Sequence, residues 1–197
     1  YRLALRRYLP EESLERTLKF VAPAAALKEV EKILGDTEDP ATFYPGSKHI
    51  LFTIGDATLV CRILEGEFLD WRRVLPQNNP VKLVGNVSRL TDSIERVGLV
   101  ISEKLKSPVR CKFGDNSAEF RTISTIGEAY AVCPIAGDGK DLEIGFNCKY
   151  LLDALRAVPD SECTLEMING LSPIVLNPTE GNRYSYMVLP VRLKAGE

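Results

Sequence analysis

The sequence has a single histidine among its 197 residues, and that scarcity shapes every catalytic reading. A serine or cysteine triad would depend on His49 alone, which sits in a strand-like run of alternating residues. The phosphate-cradling GxxxxGK[ST], the nucleophile elbow GxSxG and the metalloprotease HExxH are all missing. Gly137-Asp138-Gly139 lacks the third glycine of a dinucleotide loop and precedes a strand pattern, so it reads as a plain turn. No CxxC occurs, and the cysteines are too scattered for a zinc site. No apolar run reaches the length of a membrane-spanning helix, and no secretory signal pattern opens the chain. Charge of one sign is also lacking. A net charge of -2 argues against a wholesale basic nucleic-acid binder, though not against a local basic face.

What is present is ordinary in bulk. A hydrophobic fraction of 45% with 26% charged residues reads as a soluble globular protein, with one large domain or two small ones. The five cysteines, an odd number, read as reduced and buried thiols in a cytosolic protein. The paired carboxylates Glu11-Glu12 and Glu29 with Glu31 read as solvated surface. The chain starts at Tyr1 without a methionine, and it is read as a fragment.

Order emerges from periodicity. Three stretches repeat the pattern strand, helix, hairpin. The first has Leu18–Val21, a helix from Pro23 to Leu34, and strands around Ile54-Gly55-Asp56-Ala57. The second has Val81–Leu83, a helix from Asn86 to Ile101, and strands around Phe113-Gly114-Asp115-Asn116. The third has Leu142–Ile144, a helix from Asn147 to Val158, and strands Thr164–Ile168, Ser172–Leu176 and Arg183–Arg192. Val87, Leu90, Ile94, Val97 and Ile101 fall on one helical face, as do Leu27, Val30 and Leu34, and Leu151, Leu155 and Val158. Asn86 and Asn147 stand at N-cap positions, and Pro23 suits a first turn.

Helix starts spaced by roughly sixty residues indicate a duplicated half-domain and not a solenoid. Each unit supplies one helix to cover one face of a small antiparallel sheet, so the expected class is α+β with the helices on one face. The second and third units make one whole domain. The first has no partner except the strand-like Tyr1–Arg7. Trp71 to Pro80, with Pro76 and Pro80, reads as the linker.

Four segments then carry a family resemblance. Glu65-Gly66-Glu67-Phe68-Leu69-Asp70-Trp71-Arg72-Arg73-Val74-Leu75-Pro76 resembles the interdomain linker of the bacterial sliding clamp, the β subunit of DNA polymerase III. Tyr1-Arg2-Leu3-Ala4 resembles the end of that family's Asp-Gly-His/Tyr-Arg-Leu-Ala strand. Ile144-Gly145-Phe146-Asn147 with Tyr150–Leu155 resembles the opening of its last helix, and Val188-Leu189-Pro190-Val191-Arg192-Leu193 its terminal strand. The matches keep the family's order along essentially the whole chain. The resemblance implies the DNA clamp fold and a non-catalytic processivity factor without a cofactor. It implies residues 1–73 as the later part of a middle domain and 74–197 as a complete last domain. It also implies a bacterial cytoplasmic protein that works as a homodimer ring around duplex DNA.

The same resemblance assigns residues. A groove for short peptides of polymerase, clamp loader and repair proteins, lying between the middle and last domains, would be lined by Tyr1, Arg2, Leu3, Leu69, Arg73, Val74, Met187, Leu189, Pro190, Val191, Arg192 and Leu193. The aliphatic members would form an apolar slot and the arginines would frame it. Leu69 stands where the family often has proline and Trp71 where it often has tyrosine. Both keep the site apolar, so altered pocket shape with retained binding is expected. Lys194–Glu197 run past the usual terminal leucine. Sequence-independent DNA contact would fall to phosphate-binding cations on the helices: Lys28, Lys32, Arg89, Arg96, Lys149 and Arg156. Glu29, Glu31, Asp92, Glu95 and Asp153 share those helices and weaken the field. Leu99 and Val100 match apolar positions at the subunit junction, and without a first domain to meet them the native ring is not expected to close. The alternative reading is a stand-alone nucleic-acid-binding or interaction domain.

Overall fold

The computed structural model of the chain describes residues 1–8, 17–36, 40–102 and 107–193. Glu11-Glu12 and the tail Lys194–Glu197 lie outside the described residues. The elements run β1 (Arg2–Arg6), α1 (Ala24–Leu34), β2 (Ala41–Pro45), β3 (His49–Ile54), β4 (Ala57–Arg62), α2 (Trp71–Val74), β5 (Val81–Asn86), α3 (Val87–Gly98), β6 (Val109–Ser124), β7 (Gly127–Phe146), α4 (Cys148–Arg156), β8 (Glu162–Met167), β9 (Ile174–Asn177) and β10 (Tyr184–Val188).

These elements form two compact units. One holds the described residues between 17 and 71, and the other holds 1–8 together with those from 72 onward. In the first, β2, β3 and β4 form an antiparallel sheet, with Ile54 and Ala57 closing a hairpin over Gly55-Asp56. Gly55 takes a positive φ of 54°, which is why a Gly-Asp pair serves there. α1 begins after Pro23, as expected, but none of its residues is buried. Leu27 keeps 47% of its surface exposed although it sits on the helix's apolar stripe. Ile50 and Ile54 are the buried apolar residues of this unit among those described, so its core is thin.

The second unit is built on a seven-stranded sheet in the order β1-β10-β9-β8-β5-β7-β6. Two asparagine caps fix its helices. The Asn86 side chain accepts from Arg89 N at 3.1 Å, and the Asn147 side chain from Tyr150 N at 3.1 Å. Each satisfies one of the orphan N–H groups at a helix start. α3 packs on β6 and β7, α4 packs on β10, and the two helices touch each other. Leu90, Ile94 and Val97 of α3 and Leu151 and Leu155 of α4 enter one core with Phe113, Phe120, Ile144 and Phe146 from the sheet. Cys111, Cys133 and Cys163 are buried in it, and all five cysteines are free thiols. Desolvation pushes the Cys163 thiol up to about 12, with Asp160 adding to the rise.

Four expectations are corrected. Tyr1–Arg7 does not complete the first repeat; β1 pairs antiparallel with β10 in the large sheet, Arg2 opposite Val188. The run Phe113–Asn116 is not a hairpin turn. β6 continues through it with register shifts between Phe113 and Asp115 and between Asp115 and Ser117. Gly137-Asp138-Gly139 is not a turn either, but the facing irregularity inside β7. Polar residues with positive φ bend both strands there: Asn116 at 51°, Lys140 at 55° and Asp141 at 53°. The Asn116 side chain accepts from Gly137 N at 3.2 Å and so stitches the two bends together. The true hairpin closes between Ser124 and Gly127. Finally, the terminal strand ends at Val188, five residues before Leu193, because Pro190 has no N–H for a ladder. The linker, in turn, opens with the short helix α2, and Asn79 pins its far end by donating to Glu166 Oε2 at 3.0 Å.

The β6–β7 bend demands glycine at position 139, since an added Cβ would press on the Phe113 carbonyl and side chain. Gly139→Ala is expected to cost about 1–3 kcal/mol, the usual penalty for overpacking a tight site. Urea unfolding should show a lower midpoint with the slope unchanged.

Candidate functional site

Backbone pairing brings the two ends of the chain together. Leu3 lies opposite Met187, and Leu189 N donates to Tyr1 O at 3.0 Å. Beyond Pro190 the chain crosses Gly145, where Val191 N donates to Gly145 O at 2.8 Å. A side chain at 145 would meet the Val191 carbonyl at 2.8 Å, so the absence of Cβ is what lets the terminal run lie down there. The result is an apolar shelf. Leu189 is 37% exposed and Val191 40%, with Leu3, Pro190 and Leu193 half-buried beside them. Met187 is buried and presents no surface.

Charge and aromatic rings frame one end of this shelf. Arg2 forms an ion pair with Asp153 of α4, and its guanidinium lies 4.8 Å from the centre of the Tyr150 ring. Tyr1 stacks on that same ring at 6.2 Å. Such cation–π and stacking contacts hold a long, half-exposed arginine in one place. Tyr150 and Asp153 were absent from the expected lining. Their signal was the Tyr150–Leu155 segment already matched to the family's last helix, with Tyr150 and Asp153 three residues apart and hence on one helical face. Leu171 was missed as well. It is 79% exposed and shares a small hollow of about 230 Å3 with Pro190, Val191 and Arg192. The Asn169 side chain accepts from Leu171 N at 2.9 Å and from Ser172 Oγ at 2.8 Å, which fixes the turn that presents it. No sequence period marks a lone leucine in a turn.

The other expected residues are distributed as follows. Arg73, exposed, and Val74, half-buried, occupy α2 in the same unit as the shelf. Leu69 belongs to the smaller unit and is 55% exposed. Lys28 and Lys32 lie exposed on α1, with Lys32 paired to Glu29 at 2.7 Å. Arg89, Arg96, Lys149 and Arg156 are exposed on α3 and α4. Arg96 donates to Ser93 Oγ at 3.2 Å, and Arg156 is paired with Glu95 at 2.7 Å. Leu99, just past α3, is 81% exposed, and Val100 is half-buried. Burial pushes the Cys148 thiol beside these helices above its ordinary value; Arg156 opposes the rise and Glu95 adds to it. Among the described residues, no group of three or more His, Cys, Asp or Glu side chains is placed to hold a metal.

Comparison with known proteins then decides the family. The sequence model for the C-terminal domain of the DNA polymerase III beta subunit matches residues 72–192, and that for its central domain matches residues 1–70. The chain belongs to the DNA polymerase III beta subunit family. Beta sliding clamps of Staphylococcus aureus are 29% identical over 196 residues, which is 98% of this chain and 51% of theirs. A solved beta subunit from Eubacterium rectale superposes with a TM-score of 0.90 at 32% identity, over 96% of this chain and 51% of that one. One from Thermotoga maritima gives 0.84 at 29% identity, over 98% and 52%. The chain therefore has the α+β clamp fold and spans about half the length of the relatives it matches.

Gly145→Ala is expected to lift the terminal run off β7 while the core stays folded. Amide exchange at Val191 should rise markedly, with the protection of Leu165 and Leu176 unchanged.

Proposed function

We propose that this chain is part of a DNA replication processivity clamp: a non-catalytic protein that docks partners through short peptides and, at the full length of its relatives, encircles duplex DNA as a homodimer ring. The observation that carries the reading is the meeting of Tyr1–Leu3 with Leu189–Leu193 in one exposed apolar shelf. The family match spanning a central and a C-terminal clamp domain supports it. On the family resemblance we assign residues 1–73 to the middle domain and 74–197 to the last, although residues 1–8 and 72–73 group with the larger unit.

The shelf suits a peptide whose apolar side chains leave water on it. Burying one leucine or phenylalanine fully is worth about 1.5–3 kcal/mol. Leu3, Leu189, Pro190, Val191 and Leu193 supply the apolar surface, with Met187 as the layer beneath. Tyr1 supplies an aromatic edge, Arg2, Arg73 and Arg192 supply guanidinium donors to the peptide backbone, and Val74 extends the apolar rim. Leu69 is assigned on the family resemblance alone.

Lys28, Lys32, Arg89, Arg96, Lys149 and Arg156 would hold phosphates without reading bases, as sliding requires. The carboxylates paired with Lys32 and Arg156 keep that grip weak. Leu99 and Val100 would be covered by a second subunit, which accounts for the exposure of a large apolar side chain at Leu99. The partners are duplex DNA, a second subunit, polymerase, clamp loader and repair proteins; the place of action is the bacterial cytoplasm, and no cofactor takes part.

A fluorescence-anisotropy titration with a labelled Gln-x-x-Leu-Phe peptide tests the docking reading. Leu189→Asp should weaken binding by about 30-fold, the loss of one good apolar anchor. Unchanged affinity would remove the groove assignment.

A further inference from the structure

Asn169 is the one asparagine of the chain that is followed by glycine. The pair lies in the turn between β8 and β9, with Asn169 exposed and Gly170 half-buried. Each residue has a structural reason to stand there. Asn169 holds the turn through its side-chain oxygen, which accepts from Leu171 N at 2.9 Å and from Ser172 Oγ at 2.8 Å. Gly170 passes close to β7, where a Cβ would lie 2.7 Å from the Glu143 carbonyl oxygen. The turn thus sets side by side two residues that can react with each other.

The backbone nitrogen after an asparagine can attack the asparagine side chain. Three features of this turn favour the attack. Gly170 N–H has no hydrogen-bond partner among the described residues, so the nucleophile is not held elsewhere. Gly170 has no side chain to shield that nitrogen from Asn169 Cγ. The two donors on Asn169 Oδ1 draw charge from the carbonyl carbon and are in place for the oxyanion that forms there. The other asparagines lack this combination. Asn79 and Asn177 precede prolines, which offer no N–H, and the rest precede residues whose side chains crowd the nitrogen.

We propose that Asn169 is a modification site at which the native turn deamidates itself, and that the product loosens Leu171. Gly170 N bonds to Asn169 Cγ and gives up its proton. The Cγ–Nδ2 bond breaks, and the amide nitrogen leaves with that proton as ammonia. The five-membered imide left behind takes up one water. Opening at Cγ gives aspartate in an ordinary backbone. Opening at the main-chain carbonyl gives isoaspartate, in which the backbone runs through the former side chain and gains one methylene. Nothing is oxidised or reduced. The added length falls between β8 and Leu171, which shares its small hollow with Pro190, Val191 and Arg192. A longer backbone cannot keep both the Leu171 N–H bond and the close pass at Glu143, so Leu171 loses its fixed place at the edge of the shelf. The reaction itself does not depend on the docking reading.

The test ages the full 197-residue chain at mildly alkaline pH, once folded and once in urea, and maps the products by tandem mass spectrometry. Methyl transfer by an isoaspartyl methyltransferase counts the isoaspartate, and amide exchange reads the turn. In the folded chain Asn169 should convert ahead of every other asparagine, with isoaspartate appearing in step. Exchange at Leu171 and Ser172 should rise with the isoaspartate fraction, while that at Leu165 and Leu176 stays unchanged. An aged Asn169→Ser chain, which keeps an oxygen for Leu171 N and has no amide to lose, should show neither change. Asn169 left intact in the folded chain once the unfolded chain has converted overturns the proposal. So does equal isoaspartate in the Asn169→Ser chain, or conversion at Asn169 that leaves exchange at Leu171 and Ser172 as it was.

Discussion

The pairing of β1 with β10 is the contact on which the candidate site depends. It joins the first residues of the chain to nearly the last, from Arg2 opposite Val188 to Arg6 opposite Tyr184. Arg7 N extends it by donating to Arg183 O at 2.7 Å. Closing so long a loop is costly in chain entropy, and the cost is offset only because β10 is already held by β9 and by the core under Tyr184, Tyr186 and Val188. Without this ladder Tyr1 and Arg2 would have no fixed relation to Tyr150, and the shelf would lose one of its walls. The site is therefore a property of long-range pairing and of no single sequence motif.

A second constraint is the way glycines admit close approaches. Gly145 lets the terminal run cross β7, and Gly139 lets the β6–β7 bend close on Phe113. Both are positions where bulk, more than backbone freedom, decides the outcome. Around them the structure spends polar side chains on local geometry: Asn116 on Gly137, Asn169 on Leu171, Asn147 on Tyr150. Asn147 and Asn169 fix the start of α4 and the turn at Leu171 that border the shelf, and Asn116 fixes the β6–β7 bend.

Much of this was legible in the sequence, for identifiable reasons. The helices α1, α3 and α4 announced themselves through apolar period and through Pro23, Asn86 and Asn147. The hairpin over Gly55-Asp56 followed from turn chemistry. The same chemistry misled at Phe113–Asn116 and Gly137–Gly139, because a pair of facing bulges uses the residues that a turn uses. The destination of β1 was illegible, since alternation identifies a strand and says nothing about its partner. For the site, the terminal run and Tyr1–Leu3 were readable through family resemblance. Leu171 was not, because no sequence pattern marks it; Tyr150 and Asp153 lay in the matched segment Tyr150–Leu155, but their place beside Tyr1 and Arg2 comes from the fold. The thin core of the smaller unit was also hidden: Leu27, Val30 and Leu34 make a regular stripe, and a stripe does not reveal how much of it is covered.

Peptide docking on the shelf requires that the two chain ends form one binding surface. Hydrogen-exchange mass spectrometry of the chain with and without a Gln-x-x-Leu-Phe peptide addresses this directly. Bound peptide should slow exchange in two segments far apart in sequence, Tyr1–Leu3 and Leu189–Leu193, together with the start of α4 around Tyr150, and nowhere else. Bound peptide that slows exchange at neither chain end, or at only one of them, would contradict it.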